Sequence, residues 1–237
     1  MEILLFTLVL VLGGSLGSFS YCMSQRLISG QSFVKPSSCN HCKSVIQFRD
    51  LIPVLSYLNL KAQCRTCKII FSKSYLYAEL FLLGLSVVGY FALGLGIEFW
   101  IYMGALPFIA IAIFTDLEVQ KIPDVSSIGI AVLGFLQMFM HESYKSITSL
   151  FIVLFLMLLL RFIFAKALHK DALGDGDFYL ILATSLWVQP LNLPIYILTI
   201  GLVGVGISLF WRHKFQSDQF PFAPAIVFSM LICHLFL

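Results

Sequence analysis

Four cysteines form two pairs of a kind that binds metal ions or exchanges disulfides. Cys39 and Cys42 make the first C-x-x-C pair, and Cys64 and Cys67 make the second, with 21 residues between the two pairs. Four thiolates in two such pairs can surround one Zn²⁺ tetrahedrally, although the intervening span is slightly longer than in the usual zinc ribbon. The pattern predicts a structural zinc site, with a redox dithiol pair or unliganded cysteines as the alternatives.

Two aspartates stand directly against apolar runs. Asp116 follows PFIAIAIFT, and Asp177 precedes FYLILATSLW. Placing a carboxylate in or beside a bilayer costs free energy, so such a residue is a candidate for a functional role. If the two shared one site, the pair would hold a single proton and could activate water between them, as in an aspartic peptidase. Gly174 and Gly176 would let the backbone turn sharply and let a substrate strand approach closely.

The neighbouring acids have plainer explanations. Asp124 follows Pro123 and is expected to cap a helix. The others are expected to be solvated or secondary: Glu118, Asp171 and Asp175. Acids beside helices often only cap an N-terminus or face water, so spacing alone leaves catalysis open. A proton-coupled transporter would also hold membrane acids, but transporters usually show paired repeats and acids nearer the midplane.

Membrane helices must position these residues. Hydrophobic residues make up 59% of the 237-residue chain, charged residues make up 11%, and the mean hydropathy is +0.95. A soluble domain carries about 25% charged residues, so the composition excludes a soluble globule and predicts an all-α polytopic membrane protein. Eight apolar segments are candidates for crossing the bilayer, of which the sixth is short: 3–22, 75–95, 99–115, 125–140, 147–168, 178–188, 195–211 and 222–237.

The positions of Lys and Arg predict the orientation. With eight crossings, 14 of the 15 basic residues fall on one side, and only Lys145 falls on the other. Because cytoplasmic loops are enriched in Lys and Arg, the loop 23–74 and the starts of the fourth, sixth and eighth helices are expected in the cytoplasm. This topology brings Asp116 and Asp177 to the same membrane face.

Three domains follow from this organisation. Residues 1–22 form a first transmembrane helix, residues 23–74 form a small cytoplasmic four-cysteine domain that resembles a zinc ribbon, and residues 75–237 form a seven-helix membrane domain with both aspartates. A cytoplasmic location disfavours disulfides. The four-cysteine domain has little core of its own, so bound metal would supply folding energy.

Several sequence blocks resemble, in the same order, those of a known family. The blocks are GSLGSFSYCMSQRL, CNHC, DLIPVLSYLNLKAQCRTC, FSKSYLYAEL, DLEVQKIPD, GDGD and FPFAPAI. They resemble the type IV prepilin leader peptidases, or prepilin peptidase/N-methyltransferases, which are membrane aspartic peptidases of the G-x-G-D type. Four positions depart from the residues common in the family. Ala62 and Ala223 stand where glycine is common, Leu76 stands where proline is common, and Phe178 stands where a polar residue, often lysine, is common.

The resemblance implies a function and a set of site residues. Asp116 and Asp177 occupy the catalytic positions, and the four cysteines occupy positions associated with zinc. Family members cut the class III leader of type IV prepilins and pseudopilins at the cytoplasmic face of the bacterial membrane. Many also methylate the new N-terminal amine with S-adenosylmethionine. The implied cofactors are structural Zn²⁺ and S-adenosylmethionine, and the implied partners are prepilins and the lipid bilayer, with no nucleic acid.

Two functions of other classes remain as alternatives. A proton-coupled transporter would use the membrane acids to move a solute. A zinc-anchored membrane adaptor would need its cysteines but would tolerate loss of Asp116 and Asp177.

Overall fold

The structure is a computed structural model that describes residues 2–32, 37–39, 41–47, 50, 53–140, 145–168, 174–217 and 219–237. Helices dominate these residues, and no sheet forms among them. The helices are α1 (Glu2–Ser29), α2 (Leu55–Asn59), α3 (Lys73–Leu93), α4 (Ile97–Val119), α5 (Asp124–Met140), α6 (Lys145–Leu168), α7 (Asp175–Ser185), α8 (Leu193–Phe215) and α9 (Ala223–Phe236), with a 3-10 turn at Pro190–Asn192.

Each of the eight apolar segments overlaps one of the helices α1 and α3 to α9. Within the described residues, five helices are long and apolar enough to cross a membrane, namely α1, α3, α4, α6 and α8. The helices α5 and α9 are apolar but have only 17 and 14 residues, and α7 has 11. The expectation of a helical membrane protein is therefore confirmed, whereas the count of eight crossings stays a prediction.

The first helix continues to Ser29, past the predicted end of the apolar segment at residue 22. It stops where Gly30 takes a positive φ of 64°. The N–H of Gln31 donates to the carbonyl of Arg26 at 2.9 Å, and the N–H of Gly30 donates to the carbonyl of Leu27 at 3.4 Å. This pair of bonds is a glycine C-cap, and it explains why the helix ends there rather than at residue 22.

The chain divides into two compact units, Met1–Gly94 and Leu95–Leu237. In the first unit, α1 and α3 pack antiparallel with their backbones close together. A Cβ on Gly13 would lie 2.8 Å from the Cβ of Ser86, and a Cβ on Gly17 would lie 2.6 Å from the Cα of Glu79. Two glycines spaced four residues apart therefore permit this contact, as in membrane helix pairs with small residues at the interface.

In the second unit, α4 packs against α5 and α9, while α7 packs against α5, α6 and α9. Buried polar bonds fix the end of α7. The indole N–H of Trp187 donates to the carbonyl of Ile130 at 3.0 Å, and the hydroxyl of Ser149 donates to the carbonyl of Val188 at 2.7 Å. Because such bonds join helices inside a membrane protein, they help to set where α7 ends.

Candidate active site and metal centre

Asp116 lies in the last turn of α4 and is only 4% exposed. Its Oδ2 accepts a hydrogen bond from the backbone N–H of Ala223 at 2.7 Å, and the N–H of Phe222 donates to the same carboxylate. Ala223 is the first residue of α9. The first N–H groups of a helix lack partners within it, and the helix dipole favours negative charge there. Asp116 therefore caps α9 from a different helix.

Asp177 is the third residue of α7 and is half-buried. The start of α7 lies close to the α4–α5 connection that follows Asp116, because a Cβ on Gly176 would lie 3.1 Å from the Cβ of Ile122. The charge of Asp116 also acts on the carboxyl group of Asp177. Two carboxyl groups that occupy one site can share a proton and polarise a water molecule.

The lack of a side chain at Gly174 and Gly176 makes room for neighbouring atoms, and it is not needed for the sharp backbone turn expected from the sequence. Gly174 has a φ of −63° and a ψ of 144°, and neither glycine has a positive φ, so other residues adopt the same backbone. A Cβ on Gly176 would lie 3.1 Å from the Cβ of Ile122, and a Cβ on Gly174 would lie 3.2 Å from Oδ2 of Asp177. The glycines let α7 begin close against the α4–α5 connection and leave room for the Asp177 carboxylate.

The other described acids of this region are exposed. Asp175 is exposed, and its Oδ1 accepts a hydrogen bond from Nη2 of Arg161 at 2.8 Å. The Arg161 guanidinium also lies 5.8 Å from the centre of the Phe178 ring. Glu118 is exposed, and Asp124 is the exposed first residue of α5. Asp171, the remaining acid considered from the sequence, lies outside the described residues.

The four cysteines of the two C-x-x-C pairs converge on one point. The Sγ atoms of Cys39 and Cys67 lie 3.8 Å apart, those of Cys42 and Cys64 lie 3.9 Å apart, and all four lie within 4.8 Å of one another. Sulfurs bound tetrahedrally at about 2.3 Å from a zinc ion are about 3.8 Å apart. Disulfide sulfurs lie only about 2.05 Å apart. The donor set therefore fits one Zn²⁺ and does not fit disulfides.

The two C-x-x-C segments share one local structure. The N–H of Lys43 donates to the carbonyl of Cys39 at 2.9 Å, and the N–H of Lys68 donates to the carbonyl of Cys64 at 3.0 Å. Both lysines have a φ of 58°. The sequence carries a signal for this repeat, because a lysine follows the second cysteine in both CNHCK and CRTCK.

The thiols of the cluster differ in acidity. Hydrogen bonds from the backbone N–H groups of Cys67 and Thr66 lower the pKa of Cys64 to about 6. A hydrogen bond from the Ile69 backbone lowers the pKa of Cys67, but burial and the neighbouring thiols raise it to about 11. Thiolate is the form that binds metal, so a metal ion would complete the deprotonation that the backbone begins at Cys64.

Two further contacts shape the segment that carries the second pair. Arg65 donates two hydrogen bonds to Asp50, from Nε at 2.9 Å and from Nη2 at 2.6 Å. This fork fastens Asp50 to the second C-x-x-C pair. Lys61 and Ala62 have φ values of 50° and 57°. Glycine adopts this left-handed backbone at least cost, which explains why glycine is common at position 62 in the resembling family.

Glu79 has a structural role that its position in the sequence does not reveal. It is buried in α3, its Oε2 accepts a hydrogen bond from the N–H of Val54 at 2.7 Å, and it also bonds the Ser18 side chain. Val54 has a φ of 61° and a ψ of −51°, which is a strained backbone for a β-branched residue. Glu79 thus holds Val54 in place within the first unit. Its only signal is an acid inside the apolar run YLYAELFLL.

Two family models match the chain, one within each compact unit. The bacterial peptidase A24 N-terminal domain matches residues 11–93, and the type IV leader peptidase family matches residues 103–209. No solved structure matched the chain.

Curated relatives match over most of the chain. A type 4 prepilin-like proteins leader peptide-processing enzyme from Escherichia coli O78:H11 is 31% identical, over 80% of this chain and 71% of that protein. Prepilin leader peptidase/N-methyltransferases from Aeromonas hydrophila and Legionella pneumophila are 32% and 27% identical, covering 83% and 90% of this chain and 70% and 77% of those proteins. The resemblance inferred from the sequence blocks is confirmed: the chain belongs to the type IV leader peptidase family.

Proposed function

We propose that the protein is a prepilin peptidase whose catalytic residues are Asp116 and Asp177. It cleaves the class III leader of type IV prepilins or pseudopilins. The observation that carries the proposal is the buried carboxylate of Asp116 together with the packing of the G-x-G-D block against the connection that follows it, where a Cβ on Gly176 would lie 3.1 Å from the Cβ of Ile122. The names of the relatives support the same activity and the same substrate class.

The two carboxyl groups perform general acid–base catalysis. One aspartate, ionised, removes a proton from water while the water oxygen bonds to the scissile carbonyl carbon. The other aspartate, protonated, gives its proton to the carbonyl oxygen. The tetrahedral intermediate then collapses, the C–N bond breaks, and the leaving amine takes a proton. The leader leaves with a new carboxyl group and the pilin with a free amine, without a covalent acyl-enzyme.

The active site faces the cytoplasm in our proposal, and the chain crosses a bacterial cytoplasmic membrane eight times. The asymmetric distribution of Lys and Arg supports this orientation. A prepilin would enter from the side, with its basic leader in the cytoplasm and its apolar helix in the bilayer. Moving leader charges through the bilayer costs about 2.5–3.5 kcal/mol per Lys or Arg on insertion scales, so an outward-facing site would meet no intact leader.

Thiol labelling in cells tests this orientation. A cysteine replacing Lys145 is expected to react with an impermeant reagent from outside, whereas a cysteine replacing Lys121 reacts only after the membrane is opened. Both lysines are exposed. The background lacks Cys22 and Cys233 but keeps the four-cysteine cluster, and its own labelling is subtracted. External reaction at position 121 with protection at position 145 would invert the topology and remove the substrate from reach.

We further propose that Cys39, Cys42, Cys64 and Cys67 hold one structural Zn²⁺ in the domain 23–74. The separations of their Sγ atoms support this assignment. When bound, the ion would cross-link the two C-x-x-C segments and does not contact the scissile bond. The names of the relatives support a second activity, N-methylation of the new terminus with S-adenosylmethionine.

Coexpression with a type IV prepilin tests the proposed activity. The wild-type protein is expected to convert the prepilin into a shorter product, whose intact mass corresponds to removal of the leader before the apolar helix. Methylation adds the mass of one CH₂ group to that product. An unprocessed prepilin, with both proteins in the same membrane, would favour a transporter or an adaptor instead.

A further inference from the structure

The two aspartates of the proposed dyad are held in different ways. Asp116 accepts hydrogen bonds from the backbone N–H groups of Ala223 and Phe222 at the start of α9. Among the described residues, no group donates a hydrogen bond to the carboxyl group of Asp177. Backbone donors favour the ionised form of a carboxyl group, whereas burial favours the neutral form. Asp116 is the more buried of the two acids, and both lie at a helix N-terminus, so the hydrogen bonds donated to Asp116 are the feature that favours its ionisation over that of Asp177.

Other charged groups near Asp116 do not cancel this difference. The helices packed against α4 are α5 and α9. From α5, the titratable side chain nearest in sequence is Asp124, which is exposed, and α9 carries His234 only in its last turn. Glu118 in the last turn of α4 and Lys121 just after that helix are exposed and of opposite charge. On the α7 side, Arg161 of α6 is ion-paired with Asp175, and the charge of Asp116 acts on Asp177.

We propose that Asp116 is the ionised general base of the resting site, that Asp177 carries the shared proton, and that the N–H groups of Phe222 and Ala223 fix this division of roles. The inference rests on the proposed peptidase function and goes beyond it by giving each acid one role. It also assigns a purpose to the FPFAPAI block. Pro224 has no N–H, so the donors that reach Asp116 come from the two residues before it.

With these roles the proton transfers balance. Asp116 removes a proton from water as the C–O bond forms, and Asp177 protonates the carbonyl oxygen. In the collapse, the proton on Asp116 passes to the leaving nitrogen as the C–N bond breaks. Asp177 recovers a proton from a hydroxyl of the intermediate. Both acids return to their starting states.

The test removes one backbone N–H without changing a side chain. Ala223→lactic acid, made by amide-to-ester replacement, exchanges the N–H that donates to Asp116 for an oxygen. Ala225→lactic acid is the matched control, because the N–H of Ala225 donates to the carbonyl of Phe222 at 3.0 Å and not to the aspartate. The dependence of kcat/KM on pH is measured for prepilin cleavage. Phe222→phenyllactic acid removes the second donor as an independent variant.

The account predicts that the acidic limb of the pH profile moves to higher pH by about one unit in the Ala223 and Phe222 variants. The sign follows because the ester destabilises ionised Asp116, so a higher pH is needed to form the base. The Ala225 control keeps the wild-type acidic limb. A shift of the alkaline limb alone would show that Asp116 is the protonated acid, and unchanged limbs would show that the N–H groups set neither role. Absence of cleavage by the wild-type protein would instead overturn the proposed function.

Discussion

Asp116→Asn is expected to lower the rate of leader cleavage by about a thousandfold or more. Asparagine has the same shape and can still accept the hydrogen bond from the N–H of Ala223 through its amide oxygen. It cannot take a proton from water, so the structure of the site is kept while its chemistry is lost. The measurement is the initial cleavage rate of a purified prepilin, followed by mass spectrometry.

The controls for Asp116→Asn are protein level, thermal unfolding in detergent and zinc content, all expected to match the wild-type protein. Normal folding is expected because the capping contact with α9 survives. Full cleavage activity in this variant would remove Asp116 from the dyad. It would also reopen the adaptor interpretation, which tolerates loss of the aspartate.

Cys39→Ser or Cys64→Ser is expected to reduce bound zinc from about one ion per chain to nearly none. Each change removes one of four ligands that lie within 4.8 Å of one another. Because a small domain of this kind depends on its metal for folding, protease cleavage within residues 23–74 should rise strongly in the variants. Elemental analysis and limited proteolysis measure the two effects.

Cys22→Ser provides the matched control for the zinc prediction. Cys22 lies in α1, outside the four-cysteine cluster, so its loss should leave the zinc content unchanged. Wild-type protein purified without chelators but containing no zinc would overturn the metal assignment. Since the ion is not placed at the scissile bond, leader cleavage should withstand chelators better than that of a metalloprotease.

The helix positions were predictable because apolar runs alone specify membrane helices. Each of the eight apolar segments overlaps a helix, but the residues at which most of the helices end differ from the ends of the apolar segments. The first helix ends at the Gly30 cap rather than at the predicted residue 22. Helix α7 has 11 residues, and it begins and ends three residues before the predicted apolar segment 178–188. Local capping and tertiary bonds decide such ends, and hydropathy does not report them.

The side chains of the candidate site could be predicted from the sequence, but the backbone groups that contact them could not. Asp116, Asp177 and the four cysteines stood out because their chemistry is unusual beside apolar residues. The N–H groups of Phe222 and Ala223 carry no such mark, since every residue except proline has one. Their approach to Asp116 depends on the packing of α9 against α4, which joins positions 107 residues apart. The same limit applies to Gly176, whose close neighbour Ile122 lies on another segment.

The most direct test of the central claim compares two aspartates of one four-residue block, GDGD. Asp177→Asn and Asp175→Asn each replace one carboxyl group with an amide, two residues apart, in the first turn of α7. Asp175 is exposed and paired with Arg161, so its variant should keep much of the wild-type rate of prepilin cleavage. Asp177→Asn should reduce that rate by about a thousandfold or more. Equal rates in the two variants, or loss of cleavage only in Asp175→Asn with normal folding, would contradict the assignment of Asp177 to the dyad.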